Sequence, residues 1–171
     1  LADTYILQAN DFKKNMKQDS ALVYFEKASV EFQKHGNIEK FVDVYNQIGI
    51  ILTRQDKYEK AKAYLDKALS TGLSTLDTNN LVIATTYISL GVIYNAEENY
   101  DQSLNCHYKA LSIRLLKLEE NNAEVATSYG NIGNVHRNNK EFDKSINAHL
   151  KAMKIREKVF GLESVGIIES Y

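Results

Sequence analysis

The chain has 171 residues, and 21 Lys and Arg against 22 Asp and Glu give a net charge of −1. Balanced charge offers no field to gather nucleic acid or an anionic membrane, and no apolar run approaches the roughly 20 residues of a membrane span. The single cysteine, Cys106, excludes an internal disulfide framework and suits a reducing, cytoplasmic compartment, and no asparagine stands in a glycosylation sequon.

Proline is absent and there are only 8 glycines, so little interrupts helices. Apolar periodicity predicts helices over 2–14 and 18–34, 38–53 and 57–71, 80–95 and 99–117, then 122–137 and 142–159. In the seventh, Val125, Tyr129, Ile132 and Val135 form one stripe, and Gly161 is the expected stop of the eighth. Short polar links at Asn15–Lys17, Gln55–Lys57, Glu97–Glu98 and Asn138–Lys140 force antiparallel neighbours. Longer joints, STGLSTLDTNN and LKLEENNAE, are expected between the later pairs. The opening stretch LADTYILQAND has no signal-peptide pattern, and the chain reads as a piece cut from a longer array.

The pattern repeats. Tyr5, Tyr45, Tyr87, Tyr129 and Tyr171 are spaced by 40, 42, 42 and 42 residues. Ala9, Gly49, Gly91 and Gly133 follow the first four tyrosines by four positions, and Ala28, Ala68, Ala110 and Ala152 keep the same phase. A mid-helix glycine costs about 1 kcal/mol against alanine, so three in register imply that another helix crosses closely there. Tyr58, Tyr100 and Phe142, nine residues further on, are expected to supply the bulk beside that gap.

In the third repeat, Tyr87, Leu90–Gly91, Tyr94, Tyr100, Ser103, His107 and Ala110 resemble the tetratricopeptide repeat (TPR). The second gives Tyr45, Ile48–Gly49, Leu52, Tyr58, Ala61, Leu65 and Ala68, and the first a looser version. The 42-residue period, against about 34 in the usual repeat, is similar to the long-period subgroup of kinesin light chain and nephrocystin-3, although their joint proline is missing. The resemblance implies an all-α, right-handed TPR superhelix, an α-solenoid of antiparallel helix pairs. Its repeats would fall at about 2–37, 42–79, 84–121 and 126–163, with 164–171 opening a fifth, all in one array. It further implies a non-catalytic adaptor in a cytoplasmic, cytoskeletal or ciliary setting.

In the family the first helix of each repeat lines a concave groove. Carried over, that face includes Asn46, Gln47, Ile50 and Arg54, then Ile88, Ser89, Val92 and Asn95, then Asn131, Asn134, Arg137 and Asn138. The amides offer a donor and an acceptor each to a peptide backbone, the arginines suit acidic side chains, and Ile50, Ile88 and Val92 supply apolar anchors. The expected ligand is a protein or peptide segment, extended or a short helix. Some of these amides could instead bond between neighbouring repeats. The cations that hold a heat-shock-protein carboxylate tail are missing in both frames of three repeats.

No P-loop, nucleophile elbow, GxGxxG or HExxH occurs, so no enzyme and no cofactor are expected. His107 and His149 share one repeat position and are read as packing between helices rather than as metal ligands, because no Cys or carboxylate completes a set. Lysine runs such as Lys13–Lys14 are flanked by acids, which disfavours nucleic acid. Two other readings stand: a regulatory segment of a larger kinase or NTPase, and self-association through open repeat ends.

Overall fold

The computed structural model describes residues 1–161; the expected start of a fifth repeat at 164–171, including Tyr171, lies outside them. Those residues form eight α-helices and no strands. They are α1 (Ala2–Lys14), α2 (Gln18–Lys34), α3 (Ile38–Arg54), α4 (Tyr58–Thr75), α5 (Leu81–Ala96), α6 (Tyr100–Lys117), α7 (Ala123–Asn138) and α8 (Phe142–Phe160). Asn37, Asn99 and Asn122 cap α3, α6 and α7, their side chains accepting from backbone N–H groups of the first turn. Gly161, at φ +80°, ends α8 as expected.

The link inside each pair is three residues long and closes in the same way. Met16, Asp56, Glu98 and Lys140 all take the left-handed conformation, φ between 56° and 61°. The next N–H reaches back five residues: Lys17 to Phe12, Lys57 to Leu52, Asn99 to Tyr94 and Glu141 to His136, at 2.8–3.0 Å. This is the Schellman closure of a helix end, made here without glycine. Between α2 and α3 the same closure uses Gly36, φ +68°, and the joint is again three residues. The later joints, 76–80 and 118–122, are five residues and leave their helices through extended Leu76 and Leu118. That two-residue difference accounts for one period of 40 among periods of 42.

α4 corrects the expected boundary most. It runs to Thr75 rather than residue 71, so the first part of STGLSTLDTNN is helical. Gly72 does not break the helix; it admits Ile83, whose Cγ1 would stand 3.1 Å from a Cβ there.

The chain divides into two compact units, Leu1–Ser89 and a second that starts at Leu90, within α5. In the first unit Phe25, Phe41, Ile48, Ile51, Leu65 and Ile83 are fully buried, each such side chain contributing about 1.5–3 kcal/mol. The core of the second unit gathers Leu111, Val125, Ala126, Ile132, Ala148 and Ile155, with Leu104, Leu118 and Tyr129 packed against it.

The in-register glycines are contact points inside each helix pair. A Cβ on Gly49 would stand 2.7 Å from Leu65; one on Gly91, 2.7 Å from His107; one on Gly133, 2.7 Å from His149. The close crossing was expected, but its partner was not Tyr58, Tyr100 or Phe142. Phe142 is 61% exposed, and the bulk comes from residues sixteen positions after each glycine. His107 and His149 therefore do pack between helices.

Candidate functional site

The first helix of each repeat carries the face on which a ligand was expected. In the first unit that face is α1 and α3. Asn46 is a correction: it is fully buried and cannot meet a ligand. Its Nδ2 donates to the Val82 carbonyl at 2.9 Å and its Oδ1 accepts from the Thr86 hydroxyl at 2.8 Å, so it joins α3 to α5. Enclosure forces those bonds, since an unpaired buried amide costs about 1–3 kcal/mol. Beside it Gln47 is half-buried and its Oε1 accepts from Lys13 Nζ at 3.0 Å. Loss of solvent pushes the neighbouring Asp43 carboxyl up, while Gln47 and Lys13 pull it down. Arg54 is exposed and Ile50 is half-buried.

The part of α5 in this unit carries Ile88, half-buried, and Ser89, a second correction. Ser89 is buried and its hydroxyl donates to the Thr85 carbonyl of its own helix at 3.1 Å, so it presents nothing outward.

In the second unit the expected residues all reach solvent at least in part. Val92 is 41% exposed. Asn131 and Asn134 are half-buried, and Arg137 and Asn138 are exposed along α7. Asn138 Nδ2 donates to Asn95 Oδ1 at 3.2 Å, linking α5 to α7 in the way foreseen for some amides, and each retains further hydrogen-bonding capacity. Loss of solvent, with smaller pushes from Arg137 and Arg156, holds the His149 imidazole below its usual range.

The strongest buried electrostatics are structural. Burial lowers the His107 pKa to about 4, with a smaller push from Arg114, and its Nδ1 has no hydrogen-bond partner. Arg114 is buried and donates to the Glu124 carbonyl at 2.8 Å and the Ser128 hydroxyl at 2.9 Å, with the Glu124 carboxylate at 3.1 Å. It bolts α6 to α7. His136 Nδ1 lies 2.6 Å from the Glu141 carboxylate, which also holds Lys144. Cys106 is buried. Among the described residues no three His, Cys, Asp or Glu side chains come together as metal ligands, and no helix is long and apolar enough to cross a membrane.

Sequence reasoning missed one feature. A cleft of about 480 Å³ opens in the second unit, on the side of α7 that faces α6 and α8. Its signal was present in the repeat alignment, where the position held by Tyr24 and Tyr64 falls to Cys106 and then Ala148.

Comparison with solved structures gives the same architecture. BtubC (BKLC) from P. vanneervenii is 25% identical, with a TM-score of 0.81 over 94% of this chain and 65% of that one. A Podosopora anserina protein assigned as a kinesin light chain, built of nearly identical TPR-like repeats, gives 0.74 at 12% identity over 91% and 75%. A Rap protein complexed with competence and sporulation factor gives 0.77 at 18% identity over 98% and 46%. The chain thus spans less than two thirds of the length of BtubC and under half that of the Rap protein. No curated protein sequence matches it significantly. Tetratricopeptide repeat models match residues 41–116 and 125–165, together more than half of the sequence. With the helix pairs, the in-register glycines and these matches, the chain belongs to the tetratricopeptide repeat family.

Proposed function

We propose that the chain is a non-catalytic interaction scaffold that binds a peptide segment of a partner protein along the first helices of its repeats. The observation that carries this reading is α7. It presents Asn131, Asn134 and Arg137 on one accessible face, while the residues that build the repeat, Ile132, Gly133 and Val135, turn inward. Amide donors and acceptors suit an extended backbone, the guanidinium suits a carboxylate, and exposed Val92 suits an apolar anchor. The repeat fold of a Rap protein solved with competence and sporulation factor bound is consistent with this use. Asn46 and Ser89 have no part in it.

The test is selection of a phage-displayed random peptide library on the folded chain, followed by rebinding to Val92→Asp/Arg137→Glu. Binding to the double variant should fall at least about tenfold, a loss of 1.4 kcal/mol or more. Selected peptides that all bind it as well as the parent, with unchanged circular dichroism, would exclude this face.

A further inference from the structure

Repeats in one chain serve as each other's controls. In α4, Tyr64 stands edge-on to Tyr45, ring centroids 5.2 Å apart, and its hydroxyl donates to Glu26 of α2 at 2.7 Å. An aromatic ring with a carboxylate at its tip thus fills the interval between α2 and α4, over α3. Lys67 lies 5.3 Å above the Tyr45 ring.

In the second unit the surroundings recur without the plug. Tyr129 takes the place of Tyr45, and Lys151 lies 5.4 Å above its ring. Ala148 stands where Tyr64 would be, and Tyr108, 50% exposed, stands where Glu26 would be. What remains is the 480 Å³ cleft, with Leu104, Tyr129 and Ile132 as apolar lining and Tyr108 beside them. That volume lies within the range of about 300–1,000 Å³ usual for binding pockets.

Charge selects the occupant. Lys144 and Lys151 line the cleft and, among the described residues, no carboxylate does. Glu141 engages Lys144 at 2.7 Å from outside it. We propose that this cleft is a second docking site, for an acidic segment of a partner protein that inserts an aromatic side chain over Tyr129 between α6 and α8. The partner supplies in trans the ring and carboxylate that Tyr64 and Glu26 supply within the first unit. Burial of the ring drives the contact, and the lysines orient it by favouring flanking Asp or Glu. The site is independent of the α7 face that carries Asn131 and Arg137.

The same phage-displayed library separates the two. Peptides for this cleft carry an aromatic residue flanked by acids. They should bind Ala148→Tyr and Lys144→Glu/Lys151→Glu at least about tenfold more weakly, yet bind Val92→Asp/Arg137→Glu unchanged. Titrated into the parent chain, they shift the amide resonances of Tyr108, Ala148 and Lys151, a readout that needs no variant to fold. The proposal is overturned if no selected peptide shifts those amides, the mark of a solvated gap only, or if the peptides that do so lack acidic residues. It is equally overturned if the amides shift with protein concentration alone, since the occupant would then be a second copy of the chain. Loss of binding to Val92→Asp/Arg137→Glu alone leaves the scaffold reading standing and removes this one.

Discussion

His107 occupies the space that Gly91 leaves empty: a Cβ on the glycine would stand 2.7 Å from the imidazole Cε1. The Ser103 hydroxyl donates to the Gly91 carbonyl at 2.7 Å and fixes the same crossing. Helix propensity alone would make Gly91→Ala stabilising by about 1 kcal/mol. The ring cannot retreat within a packed pair, so the substitution should instead destabilise by about 1–3 kcal/mol. Urea denaturation checks the sign. Combined with His107→Ala, the loss should be less than additive, because the two changes share one space.

The same imidazole makes stability depend on pH. In the unfolded chain it gains a proton below its ordinary value of 6.5; in the folded chain it does so only below about 4. Between those values protons favour the unfolded state, so stability is complete above 6.5 and falls as pH drops towards 4. The loss assigned to His107 is about 3 kcal/mol. His107→Leu, which copies Leu65, should remove that part of the acid sensitivity. Denaturation at pH 7 and pH 4 on both proteins measures the difference.

Asn46→Ala should destabilise by about 1–3 kcal/mol by leaving the groups around it short of a partner. It should not change the affinity of the folded protein for any selected peptide. A binding loss without a stability loss would return Asn46 to the ligand face.

Lys140 adopts φ 61° at the turn between α7 and α8. Side chains other than glycine pay about 1 kcal/mol there, so Lys140→Gly should raise stability by about 0.5–1 kcal/mol, after allowance for the freer unfolded chain. A shift of the urea midpoint at constant slope is the measure.

Periodicity made the helix pairs legible in the sequence because core positions recur on one stripe whatever the solvent side carries. It placed the end of α4 too early because Gly72 among Ser and Thr looks like a breaker, whereas its role is to admit Ile83. The glycine register announced a close crossing but could not say which residue fills it, since Tyr58, Leu65 and their equivalents all lie on the second helix. The repeat position of Asn46 points to the ligand face; only the approach of Val82 and Thr86 shows that it is enclosed. The α6–α8 cleft was written in a change from Tyr64 to Ala148, a difference of size at a position not read as functional.

The corners at Met16, Asp56, Glu98 and Lys140 share a backbone and nothing else: one is apolar, two are acidic and one is basic. Each is fastened by main-chain atoms, so none depends on a matching side chain elsewhere. A duplication or deletion that joins one corner to another rebuilds the same turn at the seam, whichever residues meet there. Such turns leave array length open to change in whole-repeat steps, because the corners demand no particular side chain.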